Sequence, residues 1–324
     1  MLSRPDFIEK QIVVISSDRI KDLSFRNDNL LIKVDGKIKD QISLFKIFCV
    51  FIVGECTLST RLIREFLTHG IAVFCFQMNL KPLASIGSPL AGNYLLREKQ
   101  YFSTSEQDLQ IAKHIIANKV SNQLFLLQSL RTKGEKEHQI IDQVKEIQKK
   151  IKNADTDDSL RGLEGSASKL FFSSYFRQLG RYKREPRTRC DWTNLLMDMG
   201  YSLLYNFIEA NLNLYGFDVY RGVFHKLFFE RKSLACDLVE PFRCLIDKTI
   251  LKAFNLNQIN QKDFSFRNGE YELDMARYQH YLSLFLRIIL EHKMDFFDYI
   301  KQYYYFIMGK EGAEMPTFIL NQKE

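Results

Sequence analysis

Four acidic or imidazole side chains in the C-terminal half of the chain lie among residues that would otherwise fill a core. His225 precedes Asp237 and Glu240 within the apolar and aromatic segment 222–243, and Glu164 lies earlier in the chain. Burying an ionised carboxylate without a partner is so costly that the group loses its charge or pairs with a cation. These side chains are therefore expected either on a solvated face or around something positive.

The residue types favour a site for a hard divalent cation. Asp237 and Glu240 are three positions apart, which places both on one face if the segment is helical. Carboxylates with a single imidazole suit Mg²⁺ or Mn²⁺ better than structural Zn²⁺. The six cysteines show no C-x-x-C spacing that would build a zinc site. Each candidate could instead be a solvated or structurally paired group, and spacing alone does not choose between these interpretations.

A concentrated basic block follows Glu164. Residues 169–189 carry seven Lys and Arg against one acid, Glu185, so they contribute +6 of the chain's net charge of +7. Aromatic residues interleave with these charges, a combination typical of proteins that bind the phosphate backbone of nucleic acids. A divalent ion beside such a surface favours phosphodiester chemistry, although a solvated helix face could have the same composition. The candidate DNA-binding side chains are Lys169, Arg177, Arg181, Lys183, Arg184, Arg187 and Arg189.

Short strands are predicted in the first part of the chain. Segments rich in β-branched and aromatic residues lie at 12–16, 23–25, 30–34 and 47–53. The dipeptide Asp35-Gly36 is a strong hairpin signal. A helix is expected between an N-cap at Ser59 and a stop at Gly70, followed by a buried strand over 71–76.

The hydrophobic period becomes helical after a segment rich in proline and glycine at 79–93. Helices are predicted over 138–152, 192–213, 233–254 and 274–308. Pro241 should cause a kink or a helix end nearby. We therefore expect an α+β, multidomain fold. It would consist of a small β-rich N-terminal domain at 1–85, a linker at 86–96 and a larger all-α catalytic domain at 97–324.

Composition places the chain among ordinary globular proteins. It has 324 residues, of which 46% are hydrophobic and 26% charged, enough for one large or two medium domains. The cysteines sit mostly in apolar runs and are typical of reduced thiols in a cytosolic protein. The longest apolar stretch, 42–54, contains Lys46 and is too short to span a bilayer as a helix. A soluble cytoplasmic protein with no membrane association is expected.

Several motifs occur in the order and spacing of one known family. They are Glu164-Gly165-x-Ala167, Asp191-x₂-Asn194-x₆-Tyr201, Gly216-x-Asp218-x₃-Gly222-x₂-His225 and Ser233-Leu234-x₂-Asp237-Leu238-x-Glu240-x₂-Arg243. In these motifs the chain resembles the integrase of the CRISPR adaptation machinery, which inserts new spacers into the repeat array. The sequence of residues 201–243 is most similar to those of integrases that accompany single-protein effector nucleases (class two systems). Val219 replaces a usual proline and Phe171 a usual tyrosine, and neither departure removes a ligand.

The resemblance implies a site, a reaction and partners. Glu164, His225 and Glu240 would bind one Mg²⁺ or Mn²⁺ ion, and Asp237 would be a supporting catalytic acid. A 3′-hydroxyl of a short duplex would attack a phosphodiester of the repeat, with the basic block holding double-stranded DNA. The family works as a homodimer formed through the β domain, with two dimers bridged by a small ferredoxin-like partner.

Other functions use the same residues differently. A stand-alone metal-dependent nuclease acting on branched or single-stranded DNA would use water as the nucleophile, and the sequence does not separate it from an integrase. A non-catalytic DNA-binding scaffold would need no metal. An acyl or glycosyl hydrolase would leave the basic block unexplained and lacks a nucleophile motif.

Overall fold

Two four-stranded sheets form the N-terminal part of the computed structural model, which describes residues 3–16, 21–78, 80, 82–87, 93–131, 133–179, 184–226 and 228–320. The strands are β1 (Gln11–Ser16), β2 (Lys21–Arg26), β3 (Asn29–Val34), β4 (Lys37–Ser43), β5 (Ile47–Val53), β6 (Cys56–Leu58), β7 (Ala72–Phe76) and β8 (Pro82–Ile86). One sheet has the order β1-β5-β7-β8 and the other β4-β3-β2-β6. In the first sheet β1, β5 and β7 are parallel, and β8 joins antiparallel to β7.

The local signals of this region are confirmed. Asp35 and Gly36 both have positive φ, 51° and 73°, and join antiparallel β3 and β4. The Ser59 hydroxyl accepts the Leu62 N–H at the start of α2 (Thr60–Thr68), and Gly70 follows that helix with φ 67°. A short helix that the sequence did not predict, α1 (Arg4–Glu9), precedes β1.

Strand β5 is buried along its whole length because both faces of its sheet are covered. On one face Val50 and Ile52 pack with Leu62 and Phe66 of α2. The other face belongs to the core of the helical region, where the ring of Phe48 lies 5.5 Å from that of Phe207. The first sheet therefore separates two cores, one shared with α2 and the second sheet and one shared with the helical region.

The helical region surrounds a nearly fully buried helix. Its helices are α3 (Tyr94–Tyr101), α4 (Ser105–Ser129), α5 (Glu135–Lys152), α6 (Asp157–Tyr175), α7 (Trp192–Asn213), α8 (Ser233–Val239), α9 (Arg243–Asn255), α10 (Tyr278–Glu291) and α11 (Lys293–Met308). Most of α7 is buried, including the polar side chains of Asn194, Asn206, Glu209 and Asn211. Helix α4 packs against α5, α6 and α9, and α7 packs against α8, α9, α10 and α11. None of the helices in the described part of the chain is both long and apolar enough to cross a membrane.

The expectation of an all-α C-terminal domain is wrong. Strands β9 (Phe264–Arg267) and β10 (Glu270–Leu273) pair as an antiparallel hairpin. Asn268 and Gly269 connect them with φ values of 51° and 85°, which the two central positions of a type I′ turn require. The helix predicted over 233–254 is interrupted at Pro241, where a 3₁₀ turn over Glu240–Phe242 separates α8 from α9. The α+β class is confirmed, whereas the boundaries 1–85, 86–96 and 97–324 stay a prediction.

Candidate active site

A cavity of about 880 Å³ opens between α4, α6, α7 and the α8–α9 turn. Glu164 from α6, Glu240 from the turn and His225 from the preceding loop all line it. Asp237 does not line the cavity and is completely buried. The structure thus brings three predicted site residues to one space and places the fourth behind them.

Glu164 and Glu240 meet at an ammonium group from a third helix. Nζ of Lys119, in α4, lies 2.5 Å from Oε1 of Glu164 and 2.6 Å from Oε2 of Glu240. The side chains of Lys119 and Glu240 are 10% and 4% exposed, and that of Glu164 is 21% exposed. Ser168 also donates to Glu164 Oε1 at 2.8 Å, and Arg243 lies 3.1 Å from the other oxygen of Glu240. Both carboxylates are therefore paired with cations.

These neighbours set the protonation states. Burial alone would raise the pKa of Glu240, but Arg243, Lys119 and His225 outweigh it and lower this pKa to about 2. Burial also opposes ionisation of Glu164, and Lys119 nonetheless holds its pKa below the usual value. Burial would lower the pKa of Lys119, whereas the two glutamates raise it. The cluster is consequently a fully charged one at neutral pH.

His225 is oriented by Asp237. Its Nδ1 lies 2.7 Å from Asp237 Oδ1. The same carboxylate accepts the backbone N–H groups of Val223, Phe224 and His225 at 2.6, 3.1 and 2.9 Å. A Cβ on Gly222 would lie 2.7 Å from Asp237 Oδ2, so only glycine lets the loop wrap so closely around the carboxylate. This arrangement leaves Nε2 as the ring nitrogen available to a ligand.

A second group of buried polar side chains supports the cavity wall. Tyr201 donates to Asp247 at 2.5 Å, and the guanidinium of Arg243 lies 4.8 Å from the centroid of the Tyr201 ring. Burial is the main cause that raises the pKa of Asp247 to about 7, against the opposing effects of Tyr201, Arg243 and Arg184. Asp247 was not predicted from the sequence.

The predicted basic block divides between the cavity and internal ion pairs. Lys169 lines the cavity and is exposed. Arg184 also lines it, but its guanidinium pairs with Asp198 and donates to Asn194 at 2.6 Å. Arg177 pairs with Glu137 at 2.6 Å and is half exposed.

The remaining members of the block are Arg181, Lys183, Arg187 and Arg189. Arg187 is exposed, and its backbone N–H donates to Asp198 at 3.0 Å. Arg189 lies 3.8 Å from Glu270 of β10. Arg181 and Lys183 lie outside the described residues.

Lys119 is the site residue that sequence reasoning missed. It lies in a helix whose apolar stripe includes Ile115, Ile116 and Val120, and it is buried together with the amides Asn118 and Asn122. The sequence did offer one signal, a charged residue beside the apolar positions of a long helix. Such a residue needs a partner when it is buried. The sequence did not indicate which distant acids supply it.

The donor atoms that line the cavity are of types that suit a hard cation. Two carboxylates and an imidazole with a free Nε2 face one cavity, and Asp237 orients the imidazole as second-sphere carboxylates do for metal-bound histidines. The cation that lies between the two glutamates, however, is the ammonium of Lys119. Among the described residues, no three His, Cys, Asp or Glu side chains are arranged closely enough to hold an ion as they stand.

The chain, with its N-terminal β-sheets and its acid-lined cavity in a helical region, matches a known protein family. The family model described as "CRISPR associated protein Cas1" matches residues 13–287. A CRISPR-associated endonuclease Cas1 from Thermodesulfovibrio yellowstonii is 33% identical over 259 residues, which cover 75% of this chain and 80% of that protein. One from Archaeoglobus fulgidus is 28% identical and covers 94% of this chain and 92% of its own. The chain therefore belongs to the Cas1 family, which confirms the resemblance seen in its motifs.

Solved structures show the same fold. A Cas1 protein from Thermotoga maritima covers 96% of this chain and all of its own, with a TM-score of 0.82 and 19% identity. A chain of a Cas6-RT-Cas1–Cas2 complex gives a TM-score of 0.83 at 23% identity, and the match spans 36% of that longer chain. A casposase bound to integration product gives 0.79 at 18% identity.

Proposed function

We propose that this protein is a divalent-metal-dependent integrase and endonuclease of CRISPR adaptation, which inserts short duplex DNA into the repeat array. The observation that carries the proposal is the convergence of Glu164, His225 and Glu240 on one cavity that Lys169 also lines. The relatives named as CRISPR-associated endonucleases and the casposase bound to integration product support it.

The residues divide the work by position. Glu164, Glu240 and Nε2 of His225 would hold Mg²⁺ or Mn²⁺. When bound, such an ion supplies polarisation of a phosphoryl oxygen and stabilisation of the attacking or leaving oxygen. Asp237 is a positioning residue, because it fixes the imidazole without reaching the cavity.

The proposed reaction is a transesterification. A 3′-hydroxyl of the incoming duplex forms a new bond to phosphorus in the repeat, and the old phosphodiester bond breaks to release a 3′-hydroxyl. The protein's own groups contribute by holding the reacting strands in place and by stabilising charge. Among the described members of the basic block, the exposed side chains of Lys169 and Arg187 would contact the DNA backbone. Such contacts position DNA without reading its sequence and weaken steeply with salt.

The partners belong to the same proposal. Double-stranded prespacer and repeat DNA would be the substrates. A homodimer would form through the β-rich part, residues 1–85, and a small ferredoxin-like partner would bridge two dimers. The fold match to a chain of a Cas6-RT-Cas1–Cas2 complex supports assembly with a partner protein. A monomer at micromolar concentration by light scattering would contradict the homodimer.

Strand transfer tests the function. The protein is incubated with Mn²⁺ or Mg²⁺, a labelled duplex with free 3′-hydroxyls and a supercoiled plasmid that contains a repeat, beside Glu164→Ala and His225→Ala. Glu146→Ala, which removes an exposed acid of α5, is the matched control. Label joined to plasmid by the wild type and the control, and lost in both site variants and with EDTA, is the expected result.

Two other outcomes point to the alternatives. Shortened strands without joined products, lost in the same variants, would favour a stand-alone nuclease that uses water. DNA binding that requires no metal, without joining or cutting by any variant, would favour a non-catalytic scaffold. Joining that survives both substitutions would place the active site elsewhere.

A further inference from the structure

Lys119 contacts the same two carboxylates that are proposed to bind the metal. Its Nζ lies 2.5 Å from Glu164 and 2.6 Å from Glu240. These acids belong to α6 and to the turn after α8, so the ammonium joins three separate parts of the fold. With only 10% of its side chain exposed, Lys119 is part of the built cavity wall and not a surface side chain that happens to lie nearby.

Two ionised carboxylates facing one another in a partly buried cavity repel each other unless a cation lies between them. Arg243 cannot fill this position alone, because it contacts the other oxygen of Glu240. Lysine suits an exchangeable role, since its charge is compact and its stem has several rotatable bonds. The ammonium can therefore leave the acids without a change in the backbone.

We propose that Lys119 is an internal counter-cation that a divalent ion must displace from between Glu164 and Glu240. The ammonium keeps the two acids together before the ion binds, and it lowers the apparent affinity for the ion because the ion competes with it. The displaced ammonium stays within the cavity, where it is available to a phosphate group. This inference rests on the proposed function for the assignment of Glu164 and Glu240 as ligands.

Manganese binding without DNA tests the displacement directly. The full-length protein, Lys119→Met and Lys169→Met are titrated with Mn²⁺ at constant ionic strength, and free Mn²⁺ is followed by its electron paramagnetic resonance signal. Lys169 lines the same cavity and is exposed, so its variant removes one positive charge from the cavity without opening the contact between the acids. Lys119→Met should bind Mn²⁺ at least about tenfold more tightly than the wild type, and Lys169→Met should change the affinity by less than about threefold.

Thermal unfolding provides a second readout. Without metal, Lys119→Met should unfold at a lower temperature than the wild type, because the two acids lose their shared cation. Added Mn²⁺ should raise its midpoint by more than it raises that of the wild type, since tighter binding to the native state stabilises it more. Lys119→Gln, which keeps a hydrogen-bonding group without the charge, serves if the methionine variant does not fold.

Unchanged or weaker Mn²⁺ affinity in both Lys119 variants would overturn the proposal. An equal gain in Lys169→Met would also overturn it, because general electrostatics of the cavity would then explain the gain. The gain must disappear when Glu164→Gln is added to Lys119→Met. Failure of the proposed function is distinguishable: tighter Mn²⁺ binding without strand transfer by the wild type would contradict the integrase and leave the displacement intact.

Discussion

The candidate site has two sides, which hold their carboxylates in different ways. On one side, Asp237 of α8 is satisfied by three backbone N–H groups and an imidazole from the preceding loop, all from residues 223–225. On the other, Glu164 and Glu240 depend on Lys119, which belongs to a distant helix. The first arrangement is local in the sequence, whereas the second depends on three separate elements meeting.

The two arrangements therefore have different roles: one orients the His225 ring, and the other keeps Glu164 and Glu240 charged. Hydrogen bonds from a rigid loop fix the direction of the His225 ring, which a metal ligand requires. Ion pairs with a flexible lysine and with Arg243 keep Glu164 and Glu240 charged but leave their partner exchangeable. Substitutions on the local side should therefore affect folding first, and substitutions on the long-range side should affect charge and its pH dependence.

The largest effect is expected from Asp237→Leu, which breaks the local side. Three backbone N–H groups and an imidazole would lose their acceptor in a buried place. The free energy of unfolding should fall by about 4 kcal/mol, measured by urea denaturation. Asp237→Asn retains one acceptor oxygen and should cost clearly less. A loss below about 1 kcal/mol for the leucine variant would mean that the loop is held in another way.

Glu240→Gln breaks the long-range side. Because the pKa of Glu240 is lowered to about 2, its charge stabilises the native state above the unfolded pKa of 4.5, and this stabilisation is lost as the pH falls towards 2. At pH 7 the variant should be less stable than the wild type by about 3 kcal/mol. The two unfolding free energies should converge below pH 3. A difference that stays constant from pH 7 to pH 3 would contradict the role of the charge.

Asp247→Asn should remove a contribution to stability whose pH dependence is opposite in sign to that of Glu240. Burial raises the pKa of Asp247 from 3.8 to about 7, so the native state holds its proton more tightly than the unfolded state between these values. The stability of the wild type should consequently fall as the pH rises from 4 to 7, by up to about 1.4 kcal/mol per pH unit. The variant should lack this contribution in the same denaturation series. Parallel pH profiles for both proteins would contradict it.

Local signals made the N-terminal region predictable. Asp35-Gly36, the Ser59 cap and Gly70 act within a few residues, and their positions needed no tertiary information. The hairpin at Asn268-Gly269 carries the same turn signal but was missed, because the helical periodicity of its flanks favoured an all-α domain. Turn chemistry was the better guide there.

Glu164, His225, Asp237 and Glu240 were all named as candidates from the sequence, but the ion pairs of the long-range side were not predicted. The spacing of His225 and Asp237 brought both into one segment, whereas Lys119 appears in the sequence as a single charge on an apolar helix. The basic block shows the same limit. Its net charge could be counted, but the pairing of Arg184 with Asp198 and of Arg177 with Glu137 depends on how the helices pack.

Gly222→Ala tests how tightly the local side is built, with the smallest expected effect. The added Cβ would lie 2.7 Å from Asp237 Oδ2 and from Ser233 Cβ, and 2.8 Å from the Ser233 backbone. Relieving that overlap should cost about 2 kcal/mol of unfolding free energy and move the His225 loop, which would slow strand transfer.

Gly162→Ala is the matched control for this substitution, because Gly162 lies in α6 without lining the cavity, and its Cβ would meet nothing within 4 Å. Alanine there should stabilise the helix by up to about 1 kcal/mol. If both glycine variants were equally stable and equally active, the Asp237 carboxylate would have room to move, and the loop would not fix the imidazole as its hydrogen bonds indicate.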